Sequence, residues 1–318
     1  MRWVSALALC LFAGAAAAQA DYPSRPVRII VPSPPSGGTD IVARVLAQHF
    51  SNALRQQFFV ENKPGAGNVI GIEAAARAAP DGYTLLVSAS TIALNSVLYK
   101  KVPYDPVRDF APITLAATAP NILVVNPKLP IKSVADLIAA AKAAPGKLTY
   151  GTPGIGTSPH LCMELFNSMA GVDLRHIPYK GTAAAVTDII GGQIDVAFAT
   201  ALTAKPLIDA GRLRALAVSG PRRVEALPNV PPVAEAGVPG YEAMQWYGLL
   251  APAGTPAAII ERVHAEAMVA LRSPEMKARL AADGAEPLGT TPAEFGAYIK
   301  RELDKWARVR DTAHIERQ

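Results

Sequence analysis

Four short segments combine small residues and hydroxyls with a following helix start, in the manner of anion-binding loops. They are Pro32-Ser33-Pro34-Pro35-Ser36-Gly37-Gly38-Thr39-Asp40, Ser88-Ala89-Ser90-Thr91, Gly151-Thr152-Pro153-Gly154-Ile155-Gly156-Thr157-Ser158 and Tyr179-Lys180-Gly181-Thr182. Each follows an apolar, β-rich run. A helix that begins there leaves backbone N–H groups without intrahelical partners at the positive end of its dipole, which suits a carboxylate or a phosphate. For any one loop alone, ordinary capping by Ser, Thr or Asp is the simpler explanation. Four of them at the C-terminal ends of strands in α/β units point to one shared site.

Catalytic signals are weak beside these loops. The five histidines, His49, His160, His176, His264 and His314, never stand at i,i+4 spacing, and only two cysteines occur. No metal site is expected from them. Neither a G-x-S-x-G elbow nor a phosphate-binding G-x-x-x-x-G-K-[ST] loop is present. Ser158 and His160 are two apart on one element and point in different directions, so they do not make a nucleophile and base. No catalytic residue and no cofactor is expected. An exported hydrolase using Ser158 or Ser36 stays as a competing class, weakened by the lack of a positioned base.

The elements that carry the loops follow from length and pattern. The chain has 318 residues, 50% of them hydrophobic, and 31 Lys and Arg against 26 Asp and Glu. A surplus of +5 without any basic block argues against nucleic acid as a partner. Residues 1–20 read as a signal peptide. Met1-Arg2-Trp3 is the charged start, Val4 to Ala16 the apolar stretch, and Ala18-Gln19-Ala20 the cleavage site before Asp21. Export then leaves Cys162 as a lone cysteine with no disulfide to form. A soluble periplasmic monomer is expected, since no coiled-coil heptad occurs.

Apolar runs alternate with helical periodicity. Val27 to Val31, Phe58 to Val60 and Thr84 to Ser88 read as strands, with helices over Asp40 to Leu54 and Asn68 to Ala79. A second set follows. Its strands are Ile122 to Val125, Leu148 to Gly151, Arg175 to Pro178, Asp195 to Thr200 and Leu213 to Ser219. Its helices are Ser133 to Ala143, Pro159 to Ala170, Ala183 to Gly191 and Ala204 to Ala210. Pro256 to Leu271, Pro274 to Asp283 and Pro292 to Arg310 form a helical tail. The order predicts parallel sheets with helices on both faces, in two α/β units.

Several longer motifs carry a family resemblance. Residues Asp21 to Pro32 (DYPSRPVRIIVP), Glu61-Asn62-Lys63-Pro64-Gly65-Ala66-Gly67, Ala79-Pro80-Asp81-Gly82-Tyr83-Thr84-Leu85-Leu86 and Pro178-Tyr179-Lys180-Gly181 are similar to the Bug family of extracytoplasmic solute receptors. Gly192-Gln193-Ile194-Asp195, Pro228-Asn229-Val230-Pro231 and Gly248-Leu249-Leu250-Ala251-Pro252 continue the likeness. Members are the binding components of tripartite tricarboxylate transporters. The resemblance implies a type II periplasmic-binding-protein fold, with two α/β lobes joined by two crossing strands and a ligand cleft between them. It places lobe I at 21–119 and 246–318 and lobe II at 120–245. The crossings fall near Ala117 to Asn121 and Met244 to Tyr247, and the helical tail returns to lobe I.

It also implies capture of a small carboxylate by backbone amides, hydroxyls and ordered waters, hinge closure, and delivery to membrane transport subunits. A sensor that presents the closed form to a membrane kinase is the alternative. The contacts carry over to Ser33, Pro35, Ser36, Gly37, Gly38 and Asp40, then Ser88, Ser90 and Thr91. They continue with Gly154, Thr157, Ser158, Tyr179, Gly181, and Asp195 through Thr200. The first loop departs from the family's usual Pro-Phe-Pro-Ala-Gly-Gly: Ser33 stands in place of an aromatic, and Pro35 removes a backbone donor. Either Ser33 and Ser36 supply hydroxyl contacts, or the pocket is larger and takes a bulkier, aromatic acid. Asp195 reads equally as a cleft residue or a turn capper, and Tyr179 as a cleft wall or lobe core.

Overall fold

The computed structural model describes residues 22–35, 37–179, 181–281, 284–312 and 315–317. Residues 1–20, expected to be a signal peptide, together with Ser36 and Lys180, lie outside the described residues. In chain order the first unit is β1 (Val27–Val31), α1 (Gly38–Leu54), β2 (Phe58–Asn62), α2 (Val69–Ala76), β3 (Thr84–Ala89) and α3 (Thr91–Leu98). The long β4 (Phe110–Val125) leads into α4 (Val134–Ala143), β5 (Thr149–Thr152), α5 (Ser158–Ala170), β6 (Arg175–Pro178) and α6 (Thr182–Gly191). Next come β7 (Val196–Thr200), α7 (Ala201–Asp209), β8 (Arg214–Val218) and β9 (Met244–Pro252). Helices α8 (Ala257–Arg272) and α9 (Pro274–Ala281), the short β10 (Glu286–Pro287) and α10 (Pro292–Thr312) close the chain.

Strand β1 sits between β2 and β3, all parallel, and is almost entirely buried, which is why its sequence is a continuous apolar run. Helix α1 lays Val42, Ala43, Leu46 and Phe50 on that sheet, the spacing of one helical face. In the second unit β5 lies between β6 and β7, again parallel. The expectation of wholly parallel sheets fails in the middle, where β9 and β4 run antiparallel to their neighbours. Strand β4 pairs with β9 from Phe110 to Pro120, then with β7 from Asn121 to Val125, so it passes from one sheet to the other at Pro120-Asn121. A chain that leaves one lobe and later returns does so on strands of opposite sense.

The sequence reading found only the end of β4. Pro112 and Pro120 break its pattern, and the strand accommodates the first with a register shift between Pro112 and Thr114. Helix α10 runs back along the first unit: its Phe295 and Ile299 pack with Ile30, Leu86 and Trp246, while Trp306 and Val309 lie in a cluster that joins Leu94, Val97 and Leu98 of α3 to Leu123, Leu161, Phe166 and Phe198, and Arg310 donates to Val97 O at 3.1 Å. Twenty-one residues make a rod of roughly 32 Å at ~1.5 Å per residue, long enough to lie across both sheets.

Gly71 of α2 fixes how the first loop leaves β1. A Cβ there would lie 2.6 Å from both Pro32 Cα and Lys63 O, and neither atom belongs to a side chain that can turn away. Gly71→Ala is therefore expected to cost about 3 kcal/mol, near the upper end for overpacking, and to lower Tm by roughly 5–10 °C. Thermal melts of the two proteins check it, and an unchanged Tm would show that the Pro32 backbone yields freely.

Candidate ligand-binding cleft

Strand register sets where the loops meet. The last residue of β3, Ala89, is paired with Tyr247, which is paired in turn with Ala117 of β4. The last residue of β7, Thr200, is paired with Asn121 of the same strand. The C-terminal ends of both parallel sets therefore aim at one stretch of β4, four residues apart, or roughly 13 Å at ~3.3 Å per residue. The loops that follow β1 and β3 face those that follow β5, β6 and β7 across this crossing.

Five helices start on these loops, at Gly37, Ser90, Thr157, Gly181 and Thr200, and none of the five starts has a side-chain cap. Away from the crossing the chemistry is ordinary. Ser133 accepts from Asp136 N at 3.1 Å, Ser273 from Met276 N at 3.1 Å, and Thr291 from Glu294 N at 3.3 Å. Bare starts also occur at Asn68 and Pro256. What marks the crossing is that five are gathered there from two lobes, which favours anion capture over simple capping.

On the first lobe, Asp40 is buried and does not serve as an open contact. Its carboxylate accepts from Arg44 Nε at 2.8 Å and Asn62 Nδ2 at 3.0 Å, and Asn62 Nδ2 also donates to Ser33 O at 3.0 Å. Asp40 thus shapes the loop from behind, where the sequence reading placed it in the contact set. Pro35 and Gly37 are exposed and Gly38 half-buried, whereas Ser33 Oγ is buried without a hydrogen-bond partner among the described residues. Ser88 is fully enclosed inside β3, with its hydroxyl donating to Ala89 O at 3.3 Å. Ser90 Oγ donates to Gln245 Oε1 at 2.9 Å, and Thr91 Oγ1 accepts from Asn68 Nδ2 at 3.0 Å.

On the second lobe, Gly154 and Gly156 have φ of +130° and +79°, values that only glycine adopts without strain, and they present Ile155 at 42% exposure. Thr157 Oγ1 donates to Gly154 O at 2.7 Å. Ser158 Oγ accepts from Asn121 Nδ2 at 2.9 Å, which ties the start of α5 to the crossing strand. Tyr179 is half-buried: its ring packs against the Ile177 and Val186 cluster, its hydroxyl donates to Asp188 Oδ2 at 2.7 Å, and desolvation with that carboxylate pushes its pKa up to about 12. Asp195 has the geometry of its capping alternative. It stands at the opposite end of β7 from Thr200, where Oδ2 accepts from Thr149 N at 2.7 Å and Thr149 Oγ1 at 2.9 Å. It caps a strand start and lies away from the cleft.

Ser33, Pro35, Gly37, Gly38, Ser90, Thr91, Gly154, Thr157, Ser158, Gly181 and Thr200 lie on the loops that follow these strands, with Ser90 and Ser158 themselves buried. Asn62, Asn68, Asn121 and Gln245, which hold them, were missed because they stand in other segments and meet the loops only through topology. The Ser158 hydroxyl is not bonded to His160, whose Nδ1 accepts from Gly156 N at 3.4 Å. Among the described residues no three His, Cys, Asp or Glu side chains are grouped for a metal, and no helix is long and apolar enough to cross a membrane.

Two α/β lobes joined by crossing strands, with open helix starts facing each other between them, define a solute receptor of the periplasmic-binding-protein class. The chain belongs to the family described as the tripartite tricarboxylate transporter family receptor, whose model matches residues 42–314. Proteins of this family are periplasmic solute receptors, and the Bug likeness of the motifs is confirmed. The chain is 40% identical over 290 residues to protein BugT of Bordetella pertussis, covering 91% of this chain and 89% of that one. A solved R. palustris protein with adipate is 36% identical, with a TM-score of 0.83 over 93% of this chain and 99% of its own. MatC of Rhodopseudomonas palustris with bound malate is 30% identical, with a TM-score of 0.79 over 91% and 99%.

Proposed function

We propose that this chain is a periplasmic receptor that binds a small carboxylate between its lobes, closes about the crossing strands and hands the ligand to the membrane subunits of a tripartite transporter. Lobe I comprises 21–119 and 246–318, lobe II comprises 120–245, and the far half of α10 touches both. The observation that carries this reading is the gathering of five uncapped helix starts from both lobes at the crossing. Two solved relatives, described with adipate and with malate, support a carboxylate. Ligand bound by helix ends of both lobes stabilises only the closed arrangement, so binding drives the hinge.

A thermal-shift screen of mono-, di- and tricarboxylates and aromatic acids tests it. At one hundred times Kd a ligand contributes about 2.7 kcal/mol, which raises Tm by roughly 5–10 °C. Mass spectrometry of the released ligand should return it unchanged, as expected of a receptor. If no carboxylate moves Tm, or if the ligand is consumed beyond one equivalent, the reading falls.

A further inference from the structure

Beneath the Gly154–Thr157 loop lies a group of stacked rings, Tyr150 and His160 buried and His176 half-buried, that carboxylate binding does not itself require. Tyr150 of β5 stacks on His176 of β6 with ring centroids 4.9 Å apart, and His176 lies 4.6 Å from His160 of α5. The Tyr150 hydroxyl donates to Glu164 Oε1, which is 4.0 Å from His160 Nε2. Two further polar atoms of this group, His160 Nδ1 and His176 Nε2, reach upward toward the loop. Gly156 N donates to His160 Nδ1 at 3.4 Å. Gly154 N donates to Thr152 Oγ1 at 3.2 Å, and Thr152 Oγ1 shares a 2.6 Å hydrogen bond with His176 Nε2.

The loop needs such help. Two of its residues are glycines at positive φ, and a Cβ at Gly154 would find nothing within 4 Å. Packing therefore does not hold Gly154, and glycine has the most conformational freedom to lose. We propose that His160 and His176 are positioning residues of the carboxylate site, holding the Gly154–Thr157 loop in its binding shape through Gly156 N–H and, by way of Thr152, Gly154 N–H. The proposal rests on the cleft's reading as a carboxylate site. It also requires neutral His160, because a proton on Nδ1 would face the Gly156 N–H. Burial and the neighbouring His176 hold His160 at about 3, and burial lowers His176 as well. Glu164, whose carboxyl lies 4.0 Å from His160 Nε2, is itself raised by burial and bonded to Tyr150.

The test compares wild type with His160→Leu, His160→Asn and Thr152→Val. Hydrogen exchange of segment 153–157 is followed without ligand, and affinity for malate and adipate is measured by calorimetry. His160→Leu should speed exchange in that segment and weaken binding about tenfold or more, the effect of losing one anchoring hydrogen bond. Asn places Oδ1 where Nδ1 stood and should restore both readouts to within about threefold. Thr152→Val, nearly isosteric, should loosen the same segment from the β5 side, and it decides the matter if His160→Leu does not fold. Wild-type exchange and affinity in His160→Leu and Thr152→Val, or no rescue by Asn, overturns the proposal. If wild type binds neither acid, the carboxylate reading fails on its own, and the exchange measurement still decides whether the histidines hold the loop.

Discussion

Glu302→Ala is expected to destabilise the protein by about 4 kcal/mol, the sum of two lost hydrogen bonds to a charged acceptor and a buried void. Glu302 lies on α10 at 5% exposure, and its Oε2 accepts from Trp246 Nε1 at 3.2 Å and from Trp306 Nε1 at 2.9 Å. Trp246 belongs to β9 beside the crossing, edge-on to Phe295 and Tyr298, whereas Trp306 packs in the cluster that joins α3 to the second-lobe core. One oxygen therefore ties the crossing strand to the far half of the bridging helix. Alanine would leave two indole N–H groups buried without an acceptor. Because both bonds converge on the same oxygen, Glu302→Gln keeps them and gives up only Lys305 Nζ on Oε1 at 3.4 Å, whose ammonium can turn to solvent. The glutamine variant is thus expected to lose about 1 kcal/mol. Urea melts of the three proteins measure both costs. Equal damage from Ala and Gln would mean that Lys305, and not the pair of indoles, is what Glu302 serves.

How far the sequence carried this structure depends on where each residue's partners lie along the chain. Strands β1, β3 and β7 were legible because buried parallel strands need unbroken apolar runs, and α1 because one face repeats at helical spacing. Helix α3 was not. Thr91-Ile92-Ala93-Leu94-Asn95-Ser96-Val97-Leu98 is apolar nearly throughout, and it is helical because Ile92, Ala93, Leu94, Val97 and Leu98 are all buried by elements distant in sequence. The cleft loops stood out through their own composition, since small residues and hydroxyls before a helix start form a local pattern. Asp40, Ser88 and Asp195 share that composition but point elsewhere. Ser88 falls on the inward side of a strand, Asp195 at the wrong end of one, and Asp40 toward Asn62 and Arg44. Only register and packing separate them from Ser90, Thr157 and Thr200.

The histidine pair beneath the loop makes the fold sensitive to acid. A histidine held at about 3 in the folded protein, against 6.5 in the open chain, binds its proton only on unfolding across that interval. Stability from His160 is thus fully present above about pH 6.5 and falls as pH drops toward 3, at up to about 1.4 kcal/mol per pH unit, or about 2 kcal/mol by pH 5. His176, lowered by burial, acts in the same direction. Glu164 opposes them, because a carboxyl raised by burial takes its proton in the folded state, yet it is one proton against two. Glu61, Asp109, Asp136 and Glu294 are held low by hydrogen bonds or cations, so their losses begin only near their ordinary values of 4.5 and 3.8. Between pH 6.5 and 5 the histidines set the slope. Wild type should lose stability steadily over that window in urea melts. His160→Asn, with one titrating ring removed, should show a slope lower by up to about 1.4 kcal/mol per pH unit. A wild-type stability that stays level from pH 7 to 5 would mean that the two rings take up protons in the folded state near their ordinary value of 6.5, and the Gly156 N–H would then lack the lone pair that anchors it at pH below about 6.5.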